Sequence, residues 1–262
     1  MPAPAATRGT RPRLVSLLSP VGVVLLWELA FRAGWITHEV FTSPTRVAAA
    51  FVEIVEGKNA GLFGSFFVHV QTSLAEIAVG FLASVAVAIP LGIAMGWSRV
   101  VGNLLDPIVG LIRPIPPLAW VPISMLLLDV GFSQKVFSIV IASFAPVLLN
   151  TATGTRKIDP INLKVARTHN IGRRDLVLKV LVPAVTPVIM VSLRIGLGLA
   201  WMALIAAEIV AANAGLGYLL FQSFRLFRVD LMLAVMIFIG LLAFAMDQSL
   251  RALAGWRLRW VE

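Results

Sequence analysis

Long apolar runs separated by short basic stretches constrain this chain more than any other feature. Each run is about the length a helix needs to cross the roughly 30 Å hydrocarbon layer of a bilayer. In lipid the backbone must satisfy its own polar groups, so such runs fold as helices. Composition agrees, with 59% of the 262 residues hydrophobic and 13% charged, against about 25% charged in a soluble domain. A soluble chain of this length could not hide that much apolar surface in one core. The expected fold class is an all-α membrane protein.

Six spans are expected. The first runs from about Val15 to Trp35 and carries Glu28 and Arg32 four residues apart, acid first, which favours pairing on one helix face. Ser43 and Pro44 follow as an N-cap and first helical residue. They open an amphipathic helix with Val47, Phe51, Ile54 and Val55 on its apolar stripe, expected at the outer membrane boundary. The second span is about Ser73 to Trp97, with a kink near Pro90. The third, about Leu104 to Leu128, is broken by Pro114, Pro116 and Pro117, because prolines so closely spaced cannot continue a regular helix. Backbone interrupted at that depth must line a cavity or be buried in protein. The fourth is about Val136 to Asn150, the fifth about Pro187 to Ala212 and the sixth about Leu231 to Leu253.

Charge sets the orientation. With both termini in the cytosol, fourteen Lys and Arg residues fall inside, among them Arg99, Arg156, Lys157, Lys164 and Arg257. Five fall outside: Arg46, Lys58, Lys135, Arg225 and Arg228. This is the positive-inside bias, and it accounts for the net charge of +9 without a nucleic-acid partner. Residues 1–12 read as a disordered cytosolic tail. The signal-peptide alternative lacks a small-residue cleavage site.

The most polar stretch is Asn162 to Pro187. Pro160 can open a first short helix, and Asn170 and Gly172 tolerate a turn. A second helix is expected from about Arg173, with Asp175 in its first turn and Leu176, Val177, Val180 and Leu181 on one face. Arg173, Arg174 and Lys179 keep to polar positions, and Pro183 is expected to end it. Such a charged hairpin between apolar spans is a docking surface for another protein or a solvated loop.

Ionisable residues at membrane depth are functional candidates because burying them alone is costly. They are Glu76, Arg113, Arg194, Glu208 and Asp247. Arg113, beside the broken helix, could meet a small anion together with freed backbone N–H groups, or serve as a structural residue. Trp201 and Glu208 lie seven residues apart, two turns on one face, and suit either a pathway wall or a contact between two copies. Arg194 reads as structural, and Asp247 as solvated or salt-bridged. Gly196, Gly198 and Ala200 permit close helix approach. Chemistry is limited: there are no cysteines, and His38, His69 and His169 are scattered. No phosphate-binding Gly-rich loop ending in Lys-Ser/Thr and no Ser-His-Asp arrangement is present.

The polar segment resembles the cytosolic coupling loop of ABC importer permeases. That loop carries Glu-Ala-Ala, a Gly after three further residues and a Pro nineteen residues after the Glu. Here Lys164, Val165 and Ala166 take the first places, Asn170 the Gly place and Pro183 the Pro place. The Lys reverses a charge, and the Asn still permits the turn. The stretches LIRPIPPLAWVPI (Leu111 to Ile123) and RIGLGLAWMALIAAEIVAANAGLGY (Arg194 to Tyr218) are similar to the taurine, sulfonate and nitrate branch of that family. The resemblance spans about residues 15 to 255.

It implies a MetI-like, type I importer permease domain over residues 13–262 in the bacterial inner membrane, with its coupling hairpin at about 160–183. It implies ATPase-coupling roles for Lys164, Ala166, Arg167, Asn170, Gly172, Arg173, Arg174 and Pro183. Arg113, Pro114, Pro116, Pro117, Trp120, Trp201 and Glu208 would line the translocation pathway. The expected partners are two copies of an ATPase subunit, a second permease copy, an extracytoplasmic solute-binding protein and membrane lipid. ATP and Mg would be bound by the ATPase, with no cofactor in this chain and no enzymatic activity of its own. The expected cargo is a small anion or zwitterion such as taurine, an alkanesulfonate or nitrate. An ion-gradient-driven secondary transporter is the alternative, since the broken third helix suits it too.

Overall fold

A computed structural model describes residues 12–35, 41–58, 64–159, 161 and 172–257. Among these, every regular element is helical. In chain order they are α1 (Pro12–Arg32), α2 (Pro44–Val55), α3 (Phe66–Trp97), α4 (Arg99–Ile112), a 3-10 turn (Pro117–Ala119), α5 (Trp120–Leu128) and α6 (Phe132–Arg156). A single α-turn (Arg173–Asp175) and a π-helical segment (Leu176–Leu181) then lead into α7 (Val182–Ala211), followed by α8 (Leu216–Arg225) and α9 (Val229–Arg257).

Four helical stretches among the described residues are long and apolar enough to cross a membrane: Phe66–Trp97, Phe132–Arg156, Leu176–Val210 and Val229–Trp256. α4 and the segment ending with α5 are bent by 81° at the proline break and make a fifth crossing if taken as one span. The expected break in the third span is thus present. The second and fourth spans are longer than expected, beginning at Phe66 and Phe132 rather than Ser73 and Val136. The sequence boundaries fell short because polar His69, Ser73 and Lys135 interrupt the hydropathy while sitting buried inside helices. α3 runs through Pro90 without a break.

One boundary is corrected outright. Pro183 does not end a separate second helix of the polar hairpin. It lies where the π segment passes into α7, inside a continuing helix, so that its ring removes one rung of the hydrogen-bond ladder. The π segment just before it widens the coil, which relieves the clash a proline ring makes with the carbonyl four residues earlier. Residues 173–211 therefore form one uninterrupted helical rod. At about 1.5 Å per residue it is roughly 55–60 Å long, more than a bilayer core needs.

α3, α6 and α7 form the centre, with α6 packed against both neighbours. Small residues make this possible. Gly80, Ser84, Ala88, Gly92 and Gly96 recur every fourth residue of α3 and so share one face. A Cβ on Gly80 would sit 2.7 Å from Ile139, and one on Gly92 would sit 2.7 Å from the Leu148 carbonyl. Gly154 and Gly196 do the same between α6 and α7, against Val188 and Val147. Gly198 faces open space instead.

Around this centre, α2 buries Val47, Ala50 and Ile54, while Phe51 packs on Phe238 of α9 at 6.0 Å between rings. Its expected cap is present, with Ser43 Oγ accepting from the Arg46 N–H at 3.4 Å. Val55, expected on the stripe, is exposed. Glu28 accepts from Arg32 Nε at 2.8 Å, as the spacing suggests, and also from the Thr45 N–H at 3.3 Å, tying α1 to α2.

Candidate functional site

Three polar places in the bundle hold the expected site residues that the structure describes. The first surrounds the break between α4 and α5. A cavity of about 560 Å³ is lined there by Arg113, Pro114, Pro116, Pro117 and Trp120, with Asn150 and Thr153 of α6 and Ile195 and Leu199 of α7 among its other walls. Five of the seven residues expected on the pathway are thus brought together. Arg113 is exposed into this space, and no ion pair to it is formed among the described residues.

The expected backbone donors are not available. The three prolines carry no N–H, the Arg113 N–H donates to Val109 O at 2.9 Å, and the Ile115 N–H donates to Ile112 O at 3.1 Å. Side-chain donors on the cavity wall are the Arg113 guanidinium, the Trp120 indole N–H, the Asn150 amide and the Thr153 hydroxyl. A guanidinium presents a planar fork suited to a sulfonate, nitrate or carboxylate.

α5 is held in place by a side-chain network to α6. Gln134 Nε2 donates to Ser124 Oγ at 3.1 Å, and Ser124 Oγ donates to Val121 O at 2.7 Å. α5 ends at Asp129, whose φ of 56° and ψ of 170° are a backbone combination that glycine favours.

The second place lies at the other end of the core, and it holds the remaining two expected residues. Trp201 and Glu208 do not line the cavity. Trp201 is 4% exposed within the hydrophobic core and Glu208 is fully buried inside the chain. The buried carboxylate is satisfied by hydrogen bonds. Glu208 Oε1 accepts from Ser73 Oγ at 2.5 Å, and Oε2 accepts from the Gly217 N–H at 2.7 Å. The Leu216 N–H donates to Ser73 Oγ at 2.8 Å and the Gly215 N–H to His69 Nδ1 at 3.0 Å. Three consecutive N–H groups at the start of α8, where a helix leaves donors unpaired, are thereby taken up by α3 and α7.

Glycine is required at this turn. Gly215 has φ of 128°, and a Cβ there would lie 2.2 Å from Glu208 Oε1. The His69 ring stacks on Tyr218 of α8, 5.8 Å between centroids. Beside this knot Glu76 forms a buried ion pair with Lys135. Lys135, expected in an outside loop, is instead 5% exposed in the first turn of α6. A buried carboxylate needs a partner, and this lysine is it. His69, Ser73 and Lys135 escaped the sequence reading. The signal was there: His69, Ser73 and Glu76 stand at positions i, i+4 and i+7 of an otherwise apolar run, one helix face.

The third place is the foot of the rod. Of the expected coupling residues, Lys164, Ala166, Arg167 and Asn170 lie outside the described residues. Gly172 and Arg174 are exposed, and Lys179 pairs with Asp175 at 3.0 Å. Leu176 and Leu181 are buried and pack with Ile158, Val177 and Val180, so the predicted apolar face exists. Higher on the rod, Arg194 grips Asp247 of α9 in a two-pronged pair, Nε to Oδ1 at 2.6 Å and Nη2 to Oδ2 at 2.8 Å. The salt-bridged alternative for Asp247 is the one realised.

Residues 88–258 match the family described as binding-protein-dependent transport system inner membrane component. The taurine transport system permease protein of Escherichia coli is 33% identical over 214 residues, covering 82% of this chain and 78% of that protein. A nitrate import permease protein of Synechococcus elongatus is 34% identical over 167 residues, 64% of this chain and 60% of that protein. In structure, a chain of the MetNI methionine ABC transporter, in an inward-facing conformation, superposes with a TM-score of 0.65 over 73% of this chain and 96% of that one at 16% identity. A chain of an amino acid ABC transporter gives 0.55 over 80% and 97% at 18% identity. These two likenesses speak to the fold alone.

Proposed function

Because the chain belongs to the binding-protein-dependent transport system inner membrane component family, as a multi-pass membrane protein of the taurine and nitrate permease type, we propose that it is the permease subunit of an ATP-driven importer for a small anion or zwitterion. The observation that carries the cargo class is Arg113. It is an arginine without an ion pair among the described residues, exposed in a cavity walled by a broken helix and apolar side chains. A guanidinium in such surroundings is stabilised by an anionic guest. Asn150 and Thr153 add neutral donors that orient a tetrahedral or planar oxyanion. Taurine, alkanesulfonates and nitrate fit that donor set.

Six crossings suit this reading: α1, α3, the bent pair of α4 and α5, α6, α7 and α9, with both termini cytosolic. At 21 residues α1 is about 31 Å long, enough to span. The basic residues Arg99, Arg156, Arg174 and Arg251 then share one side, in keeping with the positive-inside rule. In that orientation the foot of the rod stands in the cytosol and the Glu208 knot at the outer surface.

The coupling mechanism follows from the rod. A separate ATPase would grip the polar elbow that includes Lys164, Ala166, Arg167, Asn170, Gly172, Arg173 and Arg174. Closure of two ATPase copies on ATP would displace the elbows of two permease copies and rock them between inward-open and outward-open states. A binding protein outside would deliver the solute. Since residues 173–211 are continuous helix, elbow displacement would reach the outer surface without a flexible joint other than the π turn.

The test is to purify the protein with its partner ATPase and to introduce Arg167→Glu and Arg174→Glu separately. Loss of co-purification and of permease-stimulated ATP hydrolysis is expected. Complexes and stimulation that survive both substitutions would refute the docking role. Uptake that persists when ATP is depleted but collapses with an uncoupler would favour a gradient-driven transporter instead.

A further inference from the structure

We propose that Glu208 is the positioning residue that fastens the outer end of the rod to α3 and α8, so that elbow motion and outer-surface motion stay locked together. The proposal rests on the permease reading above, and goes beyond it by assigning a role to a buried knot that the cavity does not use.

The geometry carries it. Glu208 stands three residues before the end of α7. Its two carboxylate oxygens are spent on two different elements, Ser73 of α3 at 2.5 Å and the first turn of α8 through Gly217 at 2.7 Å. Ser73 closes the triangle by accepting from the Leu216 N–H at 2.8 Å. The surroundings leave no slack. A Cβ on Gly215 or on Gly217 would lie within 2.2 or 2.8 Å of the Glu208 side chain. All of it is buried, where a broken hydrogen bond is not replaced by water.

The opposite end of the rod is built differently. Its π turn is a segment of helix that departs from the α ladder, a feature frequent at functional sites. Glu76, Lys135 and His69 face the same knot and complete it, with the Glu76–Lys135 pair bridging α3 to α6.

Glutamine reproduces these contacts only in part. With its oxygen on the Gly217 N–H its NH₂ meets Ser73 Oγ, which can accept but loses the acceptor for its own proton; the reverse orientation sets NH₂ against the Gly217 N–H. The expectation for Glu208→Gln is slippage: the elbow moves on ATP while α8 and α3 follow incompletely. ATP is then consumed with little solute moved. A residue with only a folding role would lower stability and amount of active complex but leave ATP consumed per solute unchanged.

The experiment uses the complete complex of permease, ATPase and binding protein in proteoliposomes, with taurine and nitrate as labelled probes. ATP hydrolysis and uptake are measured on the same vesicles. Glu208→Gln is expected to raise ATP consumed per solute at least tenfold. Ser73→Ala, which removes two of the three sides of the triangle and leaves the one from the Gly217 N–H to Glu208, is expected to raise it at least threefold and serves if Glu208→Gln does not assemble. A wild-type ratio in whichever variants assemble overturns the locking role and leaves the permease reading standing. Wild-type vesicles that accumulate neither probe on ATP overturn the solute class in that reading, independently of Glu208.

Discussion

The two ends of this bundle treat charge in opposite ways. Around the α4–α5 break, Arg113 looks into about 560 Å³ of open space without an ion pair among the described residues. At the α3–α6–α7 end, Glu76, Lys135 and Glu208 are buried and held by partners on other helices. Charge at membrane depth is expensive. On the proposed reading, the open charge receives the solute and the sealed charges hold the helices together. Six substitutions in four tests probe this contrast and the packing around it, from the largest expected effect to the smallest.

Lys135→Met removes the partner of a buried carboxylate and is expected to cost about 3–5 kcal/mol, read as a large fall in the thermal midpoint in detergent. Adding Glu76→Leu to Lys135→Met removes the stranded charge and should restore most of that loss, since a buried pair replaced by apolar side chains is often neutral. A double variant no better than the single would break the account of the sealed end.

Arg113→Gln is expected to leave the midpoint unchanged and to raise the apparent KM for solute at least tenfold. A charged hydrogen bond contributes about 1.5–3 kcal/mol. A fall in the midpoint matching that of Lys135→Met would erase the distinction between the two ends.

Gly92→Ala places a methyl group 2.7 Å from the Leu148 carbonyl and should cost about 1–3 kcal/mol. Gly198→Ala, where nothing lies within 4 Å, is the control and should be neutral or slightly stabilising. Equal costs at both sites would contradict the close-packed face assigned to α3.

Asp129→Gly gives the smallest effect. Asp129 holds φ of 56° and ψ of 170° at the exposed end of α5, a conformation that strains any residue with a Cβ. The substitution should raise stability by about 1 kcal/mol, and a loss would show that the aspartate side chain outweighs its backbone strain.

How much of this could be read from residues follows from the range of each effect. The broken helix was legible because Pro114, Pro116 and Pro117 act on their immediate neighbours, and they place Arg113 at the break whatever the rest of the chain does. The Glu28–Arg32 pair and the Ser43 cap were legible for the same reason. Pro183 misled because a proline inside a continuing helix and a proline ending one look alike until the preceding π turn is seen. Lys135 misled because its partner lies on another helix, and hydropathy scores a paired lysine as though it were solvated. Glu208 was recognised as a candidate, but the partner that decides its role, Ser73, stands 135 residues away. No local pattern names such a contact. The polar face of α3 hinted at it through the four- and three-residue steps from His69 to Ser73 to Glu76.

The central claim is that this chain opens an anion-accepting path at Arg113 and drives it with ATP through the rod. The direct measurement is solute accumulation by proteoliposomes holding permease, ATPase and binding protein, with and without ATP inside, for wild type and Arg113→Gln. The account predicts ATP-dependent accumulation of taurine or nitrate by the wild type and at least a tenfold lower rate for Arg113→Gln at subsaturating solute, with both complexes intact. Accumulation that proceeds equally without ATP, or equally in the absence of the Arg113 guanidinium, would contradict it.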